Sequence, residues 1–230
     1  MKLLLAVDTS GKNGSLALAR IEPDDSEISV LEVIPLAGGA FSAELIPQIA
    51  GLLEKHGHSK RDLEAFAVVS GPGSFTGIRV GLAAIKALAE ALQKPIAAVS
   101  LLEAVACGGS SEGRVLAAVD AGRTDVYTGD YELGPPLRMA SERLLSRDNF
   151  LVEARKAATS GAKVVTPDAG LADAIRSAGI DVKKIEHPNA GAIAQLGWNH
   201  IQRGQIVGPE RLEANYLRHS DAEIFAKPPR

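Results

Sequence analysis

The chain of 230 residues has one cysteine, few aromatics and no surplus of basic residues. A single thiol, Cys107, excludes an internal disulfide and any cysteine-rich zinc site, and reads as a small core or half-buried residue. Phe, Tyr and Trp together make up 4% of the chain, so Ala, Leu, Val and Ile must fill the core, as suits an α/β fold. The formal net charge of −3 leaves too few cations to neutralise many phosphates, which argues against strong nucleic-acid binding by the chain alone. No apolar run approaches the ~20 residues a membrane span needs. Asp8 interrupts the apolar opening MKLLLAVD too early for a secretory leader. A soluble, cytoplasmic protein without membrane contact is expected. The five histidines, His56, His58, His187, His200 and His219, form no His-x-x-x-His or His-Glu-x-x-His pair, so no metal site is expected.

With 46% apolar and 23% charged residues, the chain can bury one large core or two smaller ones. It opens with three strands, at 2–8, 15–22 and 29–36. Asn13-Gly14 is a tight hairpin signal between the first two, because both residues tolerate positive φ. A helix over 43–57 places Leu45, Ile46, Ile49, Leu52 and Leu53 on one stripe. A short helix starts at Ser59. A buried strand over 65–71, a helix over 76–93 and a strand over 95–100 follow, with Ser100 and Glu103 spaced as a capping box. The second half opens like the first: LLLAVDTSGKNGSLALA and RVLAAVDAGRTDVYTGDY share an apolar strand ending in Ala-Val-Asp, a small turn and a returning strand. Helices at 148–158, 168–178 and 189–203 then alternate with strands at 162–166 and 181–186. The tail, 226–230, is expected to be loose. The pattern predicts a duplicated, actin-like α/β fold, with lobes at 1–104 and 105–230 and the last segment packing back on the first lobe.

Two places could carry chemistry. Asp8, Thr9 and Ser10, with Asp120 and Arg123 at the equivalent turn, are candidate phosphate loops, since turn N–H groups cradle anions. The alternative is that both are ordinary strand-end turns. The second place is GPGSFTGIRVG, 71–81. It lacks the Lys-Ser/Thr ending of a P-loop, and Pro72 stands where a nucleophile elbow around Ser74 needs Gly. Its glycines let the chain leave a strand tightly, and Ser74 or Thr76 can cap the next helix. In that helix Gly77, Gly81 and Ala84 form a small-residue stripe extended by Ala87, Leu88 and Ala91, while Ile78, Leu82, Ile85 and Leu92 form a second stripe. Two stripes predict two neighbours: the sheet, and another helix from this chain or from a partner. If a partner is seated there, Gly81→Leu weakens association and leaves the fold intact.

GPGSFTGIRVGLAAIKALA resembles the signature of the TsaB family of tRNA threonylcarbamoyladenosine biosynthesis proteins, which is TsaD-related and glycoprotease-like. LLLAVDTS, VSLLEAVA, AAVDAGRTDVYTGDY and NYLR resemble further segments of that family, so the likeness spans nearly the whole chain. Phe41-Ser42 stands where the family often has His-Ser, and Gly122 where it has a first Arg. The resemblance implies an actin-like fold with no transferase activity of its own. It implies binding to TsaD, a catalytic relative that carries a His-x-x-x-His metal motif, with the ATPase TsaE joining and tRNA reached only through the complex. A homodimer in the absence of TsaD is implied too, through first-lobe helices at 42–55 and 76–93. Leu45, Ile49, Leu52, Gly73, Phe75, Thr76, Gly77, Arg79, Val80, Gly81, Ala84 and Leu88 are the corresponding interface candidates. No cofactor is expected on the chain itself, and a nucleotide at the interface of the complex is the one ligand the resemblance admits. The rival readings are an actin-like small-molecule kinase, whose adenosine loop Gly108-Gly109 is too early to supply, and a peptidase, for which there is no nucleophile–base pair.

Overall fold

The structure, a computed structural model, describes residues 2–24 and 26–218; the tail at 226–230 lies outside them. Two compact units are present, one built from residues up to Ala104 together with His187–Ala214, the other from Val105–Glu186 and Asn215 onward.

The first unit holds a five-stranded sheet in the order β3-β2-β1-β4-β5, made of β1 (Lys2–Asp8), β2 (Gly14–Ile21), β3 (Ile28–Leu36), β4 (Leu63–Gly71) and β5 (Ile96–Ser100). The meander β1–β3 is antiparallel, and β4 and β5 run parallel to β1. The second unit repeats this plan. β6 (Gly113–Gly122), β7 (Asp125–Leu133) and β8 (Arg138–Ser146) form its meander, and β9 (Lys163–Thr166) and β10 (Lys183–Lys184) add in parallel, giving the order β10-β9-β6-β7-β8. Asp8 ends β1 and Asp120 lies near the end of β6, so the duplicated topology matches the repeated Ala-Val-Asp segments. β8 has no counterpart in the sequence reading. It is an edge strand, and RMASERLLS is exposed or half-buried throughout, so it lacks the apolar signal of a buried strand.

The helices are α1 (Phe41–Lys55), α2 (Phe75–Leu92), α3 (Leu101–Gly109), α4 (Arg147–Thr159), α5 (Ala169–Ser177) and α6 (Ala190–Gln202). Alternation along the central strands divides the first sheet into two unlike faces. Leu3, Leu5, Val7, Leu16, Leu18, Phe66 and Val68 meet Leu45, Ile49, Leu52 and Leu53 of α1 and Ile78, Leu82 and Ile85 of α2 in one core. The opposite face carries small residues, and α6 lies close against it. A Cβ on Gly197 would sit 2.4 Å from that of Ala67 and 3.5 Å from that of Ala97. Gly197→Val is therefore expected to destabilise the first unit by about 2–3 kcal/mol through overpacking, read as a fall in the urea midpoint at unchanged m-value.

α6 comes from the second half of the chain but belongs to the first unit: the part grouped with that unit is His187–Ala214, while the chain from Asn215 belongs to the second. Asn189 caps it, accepting from Gly191 and Ala192 N–H at 2.9 and 3.3 Å. The Ala190 N–H donates to Ser15 Oγ on β2 at 2.8 Å.

α6 also supplies His200, whose Nε2 lies 2.8 Å from Glu103 Oε1 on α3, with both side chains nearly buried. Glu103, spaced to complete a capping box, thus has a partner 97 residues away. The Glu103 hydrogen bond raises the His200 pKa above its ordinary 6.5, against the opposing effect of burial. A group with a raised folded-state pKa contributes fully below its unfolded value and loses that contribution as pH rises through the folded value. The melting-temperature gap between the parent and His200→Gln is therefore largest below the ordinary histidine pKa of 6.5 and shrinks as the pH is raised through the higher folded-state value. A gap that grows with pH contradicts this assignment.

Candidate functional site: the signature loop and the outer face of two helices

The signature loop leaves β4 at Gly71 and enters α2 at Phe75. Ser74 is the N-cap, its hydroxyl accepting the Gly77 N–H at 3.3 Å. This is a capping role, as the spacing of GPGSFTG suggested, and it uses the hydroxyl oxygen that a peptidase would need as nucleophile.

Beneath the loop lies the turn after β1. Asp8, Thr9 and Ser10 are all at most 3% exposed. Asp8 Oδ1 accepts from the Ser10 N–H at 2.8 Å and the Ser10 hydroxyl at 2.6 Å. The Ser10 carbonyl accepts the Ser74 N–H at 2.7 Å, and the Thr9 hydroxyl donates to the Gly77 carbonyl at 2.8 Å. Burial pushes the Asp8 carboxyl above its ordinary pKa, opposed by the two Ser10 hydrogen bonds and by His187. The carboxylate of the turn itself thus takes the Ser10 N–H and hydroxyl that could have met an anion.

The glycines of the signature loop and of α2 face this same turn. A Cβ on Gly77 would lie 2.1 Å from the Thr9 carbonyl oxygen, one on Gly81 2.4 Å from Thr9 Oγ1, and one on Gly73 2.4 Å from the Ser10 carbonyl oxygen. This corrects the expectation that Gly77 and Gly81 belong to a ridge for a partner and that Gly73 is an interface position: they are small because their own chain presses against them. Leu45, Ile49 and Leu52 are likewise in the core of the unit. Val80, Ala84 and Leu88 are half-buried against that core. The Asn13-Gly14 hairpin also differs from expectation. Asp8 pairs with Ser15 across a longer loop, and Gly14 is not in the left-handed region. A Cβ there would approach the Asp8 carbonyl oxygen to 2.5 Å.

Of the interface candidates, Phe75, Thr76 and Arg79 remain exposed. The Arg79 guanidinium lies 3.7 Å from the centroid of the Phe75 ring, a cation–π stack that holds both side chains in place. Sequence reasoning put Ile46 on the apolar stripe of α1 and Ala87 and Ala91 on the glycine stripe of α2, whereas the structure leaves all three exposed. Ala83, Ala87, Glu90 and Ala91 on α2 are exposed, as are Ala43, Ile46, Pro47, Ala50 and Gly51 on α1. Ile46 is 51% exposed. Ser42, Gln48, Glu54 and Lys55 are exposed on α1 as well, so the solvent sides of the two helices combine small or apolar residues with polar and charged ones. The signal was in the sequence as helical stripes left over once the largest side chains were assigned inward.

In the second unit the equivalent turn is more open. Asp120 is exposed; its Oδ1 accepts the Gly122 N–H at 2.9 Å, repeating the Asp8–Ser10 arrangement. Its own N–H donates to Asp168 Oδ2 at 2.7 Å. Arg123 is at φ 54° in the turn. Arg218, of the closing Tyr-Leu-Arg, donates to Asp125 Oδ2 at 2.7 Å and to the Gly122 carbonyl at 3.4 Å, so it braces the turn. Among the described residues no three His, Cys, Asp or Glu side chains are grouped to hold a metal ion, and no helix is long and apolar enough to cross a membrane.

The duplicated sheets and the repeated Asp-anchored turn define an actin-like α/β protein of two lobes. A solved structure of YeaZ from Pseudomonas aeruginosa matches the chain with a TM-score of 0.70 at 26% identity, covering 94% of this chain and all of the other. The family model described as TsaD, tRNA N6-adenosine threonylcarbamoyltransferase, matches residues 33–196. The TsaB protein of Escherichia coli K12 is 29% identical over 95% of this chain and 96% of its own. That of Bacillus subtilis 168 is 38% identical over 56% of this chain, a match spanning just over half, 55%, of the relative. The chain belongs to this TsaD-related family, in its TsaB branch.

Proposed function

We propose that the chain takes part in tRNA threonylcarbamoyladenosine biosynthesis as a non-catalytic subunit, docking onto TsaD through the outer face of α1 and α2. The two TsaB relatives carry that biosynthesis in their names, which supports the process. The docking role rests on one observation: the small and apolar residues on the solvent side of the paired helices, held rigid by the turn beneath the signature loop. Against catalysis by the chain itself, the sequence lacks a His-x-x-x-His pair, Ser74 serves as a helix cap, and the first strand-end turn satisfies its donors internally.

The test is co-purification. At micromolar concentration the chain and TsaD from the same source are expected to elute as one complex, and tRNA modification is expected only when both are present. Separate elution at that concentration, or modification of tRNA by this chain without TsaD, would refute the proposal.

A further inference from the structure

After α6 ends at Gln202, the chain is held at two places by unlike chemistry. The first hold, within the first unit, is apolar and main-chain. The Val207 N–H donates to the Ile96 carbonyl at 2.9 Å, pairing with the edge strand β5. Leu212, 1% exposed, lies in the same core as Leu45, Ile49, Ile78 and Leu82, and Ala214 packs against it. The second hold, within the second unit, is polar and made by side chains. The Asn215 amide donates to Glu142 Oε2 at 2.5 Å, and the other oxygen of Glu142 accepts the Tyr131 hydroxyl. The Arg218 guanidinium grips Asp125 Oδ2 and the Gly122 carbonyl, with both charged side chains partly exposed. None of Asn215, Tyr216, Leu217 and Arg218 is buried, and Tyr216 is 40% exposed. Freeing Leu212 would take a leucine out of the core of the first unit. Freeing Asn215 and Arg218 exchanges polar contacts for water and moves no core side chain, and partly exposed ion pairs hold weakly.

We infer that Asn215–Arg218 is a latch, which closes on the β6–β7 turn and on β8 through Asp125 and Glu142 and opens while both units stay folded. Leu212 is its fixed point, because that side chain stays in the core. Closed, the latch covers the Gly122 carbonyl and the Asp125 carboxylate, on either side of Arg123 and Thr124. Open, it uncovers them beside the exposed Asp120, so it governs access to the turn of the second unit. Regions that open at small cost in this way have few buried apolar contacts, as here.

The experiment is limited chymotrypsin digestion of the full chain. Cleavage after Tyr216 is resolved by mass, and its rate is divided by that of a free peptide of the same sequence. Cleavage needs the latch open, and when closing outpaces cleavage the rate follows the open population. For the parent the ratio is expected to rise about threefold between about 0.05 and 1 M salt, as the Arg218–Asp125 pair is screened. D125K sets a cation against Arg218 and is expected to raise the ratio about tenfold at low salt. E142Q removes the charge that Asn215 meets, keeps a polar partner for Tyr131, and is expected to raise it about threefold. The Tm of both variants is expected within about 2 °C of the parent. Parental ratios in both variants, or a parent ratio that does not change with salt, overturn the inference, since these side chains then do not hold the segment. Faster cleavage matched by a lower Tm overturns it too, since the segment then opens only when its unit unfolds. TsaD plays no part in these readouts, so the docking proposal stands or falls separately.

Discussion

Gly81→Leu is expected to lose folded protein, not merely a binding surface. The Cβ alone would enter within 2.4 Å of Thr9 Oγ1, with Val7 Cγ1 3.6 Å away. The obstruction is the rigid end of β1, buried and tied to α2 by the Thr9–Gly77 hydrogen bond. Accommodating three further carbons means either breaking that bond or lifting the first turns of α2 off the sheet. Insertions into a close-packed site typically cost 1–3 kcal/mol, and here a buried donor is also orphaned, so about 3 kcal/mol or more is expected. That corresponds to a fall in Tm of roughly 6–12 °C for a chain of this size. Gly77→Val should behave alike, since its Cβ would lie 2.1 Å from the Thr9 carbonyl oxygen. Thermal melts followed by far-UV circular dichroism decide the matter: a Tm within 2 °C or so of the parent means Thr9 and α2 are not pressed together.

Ala87→Arg is expected to do the opposite, sparing the fold and abolishing capture by TsaD. Ala87 is exposed on the outer pole of α2, where a longer side chain meets solvent in the monomer and arginine keeps good helix propensity. In a complex seated on that pole, a guanidinium replaces a methyl group at a close helix crossing. The contact must then open or bury an unpaired charge, and breaking interfaces in this way costs several kcal/mol. A loss of affinity of roughly 100-fold or more is expected by surface plasmon resonance with immobilised TsaD. Unchanged affinity with an intact Tm would place the docking surface elsewhere. The contrast between the two variants is the sharp part: one helix, one substitution on each side, and separate consequences for stability and binding.

Much of this was legible in the chain order of residues. Strands β1 to β7, all six helices and the repeated Ala-Val-Asp segments follow from apolar periodicity, capping residues and glycine punctuation, each of which acts over a few neighbours. The Leu45, Ile49 and Leu52 stripe was also visible as amphipathic, but amphipathicity does not name the neighbour: the stripe fills the core of the unit, and the face proposed for docking is its opposite side. β8 was hidden because a half-exposed edge strand needs no apolar alternation. The His200–Glu103 pair was hidden because 97 residues separate its members and neither carries a local mark of the other.

The sequence by itself determined the duplicated α/β plan, the capped helix after the signature loop and the shortage of metal-ligating histidine pairs, since all of these depend on residue type and short-range spacing. Only the tertiary structure decided which of two small-residue sides of α2 is turned inward. Gly77 and Gly81 on one side and Ala83 and Ala87 on another are equally narrow to a reader of the sequence. The choice is made by a turn almost seventy positions earlier, where Thr9 occupies the space that glycine leaves. That contact consigns the glycines to internal packing and leaves the alanines exposed.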